Sequence, residues 1–160
     1  MKGSYVLVMQ LSQAQDLAVG KLGTHRFEPG CYLYFGSALN SLEGRLRRHL
    51  LPDKKLHWHI DFLSAIATIQ EVWWAEGMAR QECAWTQTAL GLPRVSIPVK
   101  GFGSSDCRRC PSHLVYLPSL EDVGALARII STDSSEKITR SPPEITEILQ
   151  PMAGNSAQIG

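Results

Sequence analysis

The sequence predicts a small α/β domain of the α+β kind, with a mixed or antiparallel central sheet flanked by helices. Three observations carry that expectation. The chain has 160 residues, 44% hydrophobic and 19% charged, which suits one domain with a real core. Its first long apolar segments alternate with a period of two and are rich in Val, Tyr and Leu, as strands are. These turn-linked segments precede most of the helix candidates, which argues against repeated βαβ units.

Taken in order, Ser4–Leu11 alternates as a strand with Tyr5, Leu7 and Met9 on one face. Gly20, Gly23 and Pro29-Gly30 punctuate a hairpin before a second central strand, Cys31–Phe35, which Gly36 ends. Asn40 or Ser41 can cap a helix that runs to about Leu51 and stops at Pro52. Its apolar stripe is Leu42, Leu46 and Leu50, with Arg45 and His49 along the margin and Arg47 and Arg48 pointing outward. A short helix follows around Trp58–Ala65, burying Ile60, Phe62 and Leu63, and then a β-branched and aromatic strand, Thr68–Trp74. Arg80–Leu90 favours a helix halted by Gly91–Pro93, and Val95–Val99 and His113–Leu117 are short strand candidates around a Gly- and Ser-rich loop. One helix is expected within 118–131, and the Ser-, Thr- and Pro-rich residues 132–160 read as a flexible tail.

No apolar run approaches the roughly 18 residues of a membrane helix, and the N-terminus lacks the apolar stretch of a signal peptide. A cytoplasmic protein without membrane contact is the expectation, and four cysteines are too few for a disulfide scaffold. The net charge of +1 conceals an uneven distribution. Residues 1–117 hold 13 Lys and Arg against 9 Asp and Glu, whereas residues 118–160 hold 3 against 6. Arg45, Arg47, Arg48, Lys54 and Lys55, interleaved with His49, His57 and His59, form the densest basic stretch. Such a stretch is either a phosphate-binding patch or a solvated helix face.

Gly3-Ser4-Tyr5, Tyr34-Phe35-Gly36, Arg45-Leu-x-x-His49 and Glu82, in that order, resemble the GIY-YIG nuclease superfamily. Tyr34-Phe-Gly-Ser-Ala38, Lys55–Leu63 and Gly101–Cys107 resemble its stand-alone Uri-type branch, so the likeness spans about residues 1–117. It implies a metal-dependent endonuclease acting on nucleic acid, DNA ahead of RNA, with one Mg²⁺ or Mn²⁺. The resemblance makes Tyr5 and Tyr34 the pair that positions or activates water, Arg45 the phosphate clamp and His49 an assisting acid or phosphate contact. It makes Glu82 the metal ligand, a sufficient one because Mg²⁺ keeps several waters; Glu71 and Glu76 are rivals. Ser37-Ala38 departs from the basic residue many relatives carry after the central Gly. An asparagine they carry after the glutamate is missing too.

Beside the basic stretch, His57, His59 and Asp61 could shape the cleft or cap a helix around Trp58. Ser104, Ser105 and Asp106 could touch nucleic acid or support the metal's water. Cys107-x-x-Cys110-x-x-His113 offers three zinc ligands and needs a fourth from Cys31, Cys83, His57 or His59. Zinc is therefore a second candidate metal, behind Mg²⁺ or Mn²⁺. Two rival functions stay open: a catalytically weak nucleic-acid-binding module, and a zinc-stabilised interaction domain.

Overall fold

The computed structural model describes residues 1–105, 107–133 and 136–143. A five-stranded sheet is built from β1 (Gly3–Leu11), β4 (Gly30–Ala38), β5 (Thr68–Glu76), β6 (Leu114–Leu117) and β7 (Thr139–Ser141). Its spatial order is β6-β4-β1-β5-β7, and all four pairings are antiparallel. The expected hairpin is β2 (Gln15–Ala18) with β3 (Thr24–Phe27), a separate two-stranded ribbon turned through Gly20 and Gly23.

Both faces of the sheet are covered, so the central strands bury both of their alternating sets. Tyr5, Leu7 and Met9 pack with Leu42, Leu46, Ile60 and Leu63 from α1 (Leu42–Leu50) and α2 (His59–Ser64). Val6 and Val8 point the other way, into a second core with Trp85 and Ala89 of α3 (Glu82–Leu90) and Val123 and Leu126 of α4 (Leu120–Asp133). Ser41 caps α1, its Oγ accepting from the Gly44 N–H at 2.9 Å, and the extended Leu51 before Pro52 closes it. No helix among the described residues is long and apolar enough to cross a membrane.

Several expectations need correction. His49 is not marginal: it is 1% exposed, because Leu42, Leu46 and His49 recur at i, i+4 and i+7 on the buried face. Val95–Val99 forms no strand. Pro93 precedes it and Pro98 interrupts it, and among the described residues only Ser96 bridges to Tyr116. The tail expected from 132 begins too early, since α4 continues to Asp133 and Thr139–Ser141 pairs with β5 at the sheet edge. The remainder of that tail, from 144 on, lies outside the described residues, as does Asp106.

Candidate functional site

At one end of the central strands lies an open cleft of about 730 Å³, and the register of β1 against β4 explains what lines it. Tyr5 pairs with Gly36 and Leu7 with Tyr34, so both tyrosines occupy one face as diagonal neighbours, ring centroids 6.4 Å apart. Gly36 is required there, because a Cβ would sit 2.5 Å from the Tyr5 hydroxyl. Gly103, at φ 67°, brings the loop backbone so close that a Cβ would stand 2.7 Å from the Tyr34 ring.

Arg45 enters from α1. Its guanidinium lies 4.7 Å from the centroid of the Trp58 ring, and its Nη1 donates to the Ser37 carbonyl at 3.4 Å. It has no carboxylate partner among the described residues, so its fork is available to an anion. Glu82 enters from the opposite side, at the first position of α3. Ser37 Oγ donates to its Oε2, and Gln81 N and Ser37 Oγ share Ser4 Oγ at 2.9 and 3.0 Å. The serine that replaces the expected basic residue thus orients the carboxylate. Glu82 is the one carboxylate lining the cleft among the described residues. Glu71 is turned away into an ion pair with Arg140 at 2.6 Å, and Glu76 does not reach the cleft.

The titratable groups behind this lining are held neutral. Burial pushes the Tyr34 phenol up to about 12 and drives the fully buried Tyr5 phenol further up. Burial also lowers His49 to about 3. Its Nε2 shares a 2.7 Å hydrogen bond with the Tyr5 hydroxyl, and its Nδ1 has no partner among the described residues. A histidine held neutral behind Tyr5 does not fit the expected role of proton donor to a leaving oxygen; it fixes the Tyr5 hydroxyl instead.

The basic stretch divides when its contacts are traced. Arg48 donates twice to Asp61 at 2.9 Å and packs on Trp58, 4.1 Å from the ring centroid. Lys54 Nζ closes the end of α1, donating to the carbonyls of His49 and Leu51 at 2.9 and 3.0 Å. Arg47 and Lys55 are exposed and do not line the cleft. Asp61, fully buried, also accepts from the His57 and Trp58 N–H groups at 2.9 and 2.8 Å. Burial alone would raise its carboxyl, but the Arg48 and backbone hydrogen bonds outweigh that and hold it near about 2. Of the two readings of this cluster, the capping one describes Asp61. His57 and His59 do line the cleft, and His59 Nδ1 accepts from the Gly103 N–H at 2.9 Å. Ser105 is at the rim.

Arg80, Arg108 and Arg109 complete the lining. They went unmarked in the sequence, where only the Arg108-Arg109 doublet signalled them. On the same wall Cys83, Cys107, Cys110 and His113 gather, their ligand atoms all within 4.8 Å of one another, a group that could bind a metal ion. Cys83, one of four open possibilities for the fourth ligand, is the one the fold selects.

Residues 4–134 match the model of a domain of unknown function, DUF123. The chain belongs to DUF123. The match runs from β1 to α4 and takes in the cleft, leaving β7 outside, so both sides of the site lie within a single DUF123 domain. No curated protein and no solved structure matches the DUF123 chain.

Proposed function

We propose that the cleft hydrolyses phosphodiester bonds in nucleic acid, DNA ahead of RNA, with one Mg²⁺ or Mn²⁺ at Glu82. The observation that carries this reading is that, among the described residues, the cleft is lined by a single carboxylate and its other charged lining is arginine. A lone carboxylate among cations suits a divalent ion shared with a phosphate, because Mg²⁺ needs only one or two protein carboxylates. The residues fit such an ion: Ser37 holds Glu82 Oε2, and Oε1 has no protein partner among the described residues. When bound, the ion supplies Lewis acidity to a phosphoryl oxygen and to a coordinated water.

The chain's own residues account for the remainder. Arg45, pre-positioned on Trp58, clamps the scissile phosphate through two parallel N–H donors and stabilises charge that builds on its oxygens. Tyr34 remains a neutral phenol and holds the attacking water through its hydroxyl; Tyr5, tied to His49, shapes the floor beneath it. Arg80, Arg108 and Arg109 hold the flanking backbone.

Labelled single-stranded, duplex and branched DNA, each with and without Mg²⁺ or Mn²⁺, tests the reading. Metal-dependent cleavage that Arg45→Ala and Tyr34→Phe reduce, with the fold intact, is the expected result. Binding without cleavage on every substrate leaves the second reading, a nucleic-acid-binding module. The arginine lining favours that module equally, and its affinity falls with salt but is indifferent to chelation.

A further inference from the structure

The thiol and imidazole group beside the cleft has the dimensions of a closed zinc site. Cys83 Sγ lies 3.6 Å from Cys107 Sγ and 3.7 Å from His113 Nε2. With Zn–S near 2.3 Å and Zn–N near 2.0–2.1 Å, a tetrahedron has sulfur–sulfur edges of about 3.8 Å and sulfur–nitrogen edges of about 3.6 Å. These two edges match, and the other ligand pairs, all within 4.8 Å, reach tetrahedral edges by moving about 1 Å at most. All four cysteines of the chain are free, and Cys31, buried on β4 opposite Leu117 of β6, is not part of the group. The surroundings are those of ligands held in advance. Gln87 Nε2 reaches Cys110 Sγ at 3.5 Å and the Arg109 carbonyl at 3.1 Å. The His113 backbone is fixed on both sides, its N–H to Phe102 O at 2.8 Å and its carbonyl to Phe35 N at 2.9 Å.

We propose that Cys83, Cys107, Cys110 and His113 bind one zinc ion in a closed tetrahedral site. The ion fastens the first turn of α3, which carries Glu82, to the loop 101–113 that forms one wall of the cleft. Three thiolates and an imidazole select zinc over the hard, oxygen-seeking ion assigned to Glu82. Four protein ligands leave no position for water, so this ion holds structure and does no hydrolysis. The loop it secures is built largely of Gly, Ser, Cys and Arg. Among the described residues between 103 and 111 only Ser104 and Cys110 are buried, so few apolar contacts would otherwise hold this stretch. The site goes beyond the hydrolytic reading and stands whether or not the cleft cuts DNA.

The full-length protein, purified without chelators, is assayed for metals and again after cobalt substitution. One zinc per chain is expected in wild type and in Cys31→Ser, and a loss of most of it in Cys107→Ser and in His113→Ala. Because those variants could misfold, the cobalt-substituted wild type is the second measure: it should show the visible bands of tetrahedral cobalt with thiolate charge transfer. Limited trypsin digestion is the third: cleavage after Arg108 or Arg109 should accelerate several-fold when zinc is stripped and slow again when zinc is returned. Metal-free protein that takes up no zinc, stoichiometric iron in place of zinc, cobalt bands lacking thiolate character, or trypsin cleavage indifferent to zinc would each overturn the proposal. None of these readouts involves nucleic acid, so failure here is separate from failure of the hydrolytic reading.

Discussion

The cleft has two walls of opposite construction. One, from β1, β4, α1 and α2, is held by the core: Tyr5 and His49 are 1% exposed, and the Arg48–Asp61 pair closes over Trp58. The other, from the first turn of α3 and the loop 101–113, is anchored in the core at Phe102, but beyond it gathers three thiols and an imidazole in place of apolar side chains. Packing and satisfied hydrogen bonds therefore position Tyr5, Tyr34 and Arg45. Glu82 depends on Ser37 and on whatever holds its neighbour Cys83. Cationic residues show the same division. On the packed wall Arg48 and Lys54 are committed to the protein. Of the basic stretch, Arg45 is the one arginine or lysine that faces the cleft among the described residues, while Arg108 and Arg109 of the loop wall both face it.

The largest effect should come from Asp61. Asp61→Ala leaves Arg48 without its partner and two backbone N–H groups without an acceptor, costing about 3 kcal/mol or more in urea unfolding. In wild type the same carboxylate sets an acid limit. Its folded value near about 2 lies below the unfolded value of about 3.9. Its contribution is therefore complete above about pH 4 and is lost as pH falls toward 2. The stability difference between pH 5 and about pH 2.5 should be smaller in Asp61→Ala than in wild type, by the share this carboxylate contributes.

Tyr5→Phe comes next. It removes the one hydrogen bond His49 makes through its ring, and a loss of about 1–3 kcal/mol is expected. A melting temperature equal to wild type would mean that the packed wall does not rest on this pair. His49 also imposes a slope with pH. Its folded value of about 3 lies below the ordinary value near 6.5, so the unfolded chain binds an extra proton between them. Stability should then fall as pH drops from about 6.5 toward 3, by up to about 1.4 kcal/mol per pH unit from this group. His49→Phe should flatten that part of the curve.

The fold was legible in the sequence wherever periodicity was strong. β1, α1, α2 and α3 fall close to where alternation, caps and Pro stops put them, because local chemistry and packing agree there; β4 instead runs through Gly36 to Ala38, so that glycine does not end the strand. Val95–Val99 misled because five apolar-rich residues look like a strand until the prolines are counted. Thr139–Ser141 was missed because a three-residue edge strand has no periodicity of its own. At the site, Tyr5, Tyr34, Arg45 and Glu82 were identified by their order along the chain and do converge. The basic stretch was misjudged because sequence shows charge but not commitment. Nothing in the spacing of Arg48 or Lys54 discloses a buried carboxylate or a helix end that claims them. Cys83 is separated from Cys107 by 23 residues, and only tertiary folding joins them.

The smallest effects should separate the walls by charge. Arg108→Ala should weaken DNA binding and lower its salt slope by about one, whereas Arg47→Ala should leave both nearly unchanged. Equal losses from the two would return phosphate binding to the α1 surface.

The central claim is hydrolysis at Glu82, and the most direct measurement compares wild type with Glu82→Ala on one DNA substrate in Mn²⁺, following cleavage and binding together. The account predicts cleavage reduced on the order of 100-fold or more in the variant, with binding and melting temperature close to wild type. Undiminished cleavage in Glu82→Ala, or cleavage by wild type that persists in excess chelator, would contradict it.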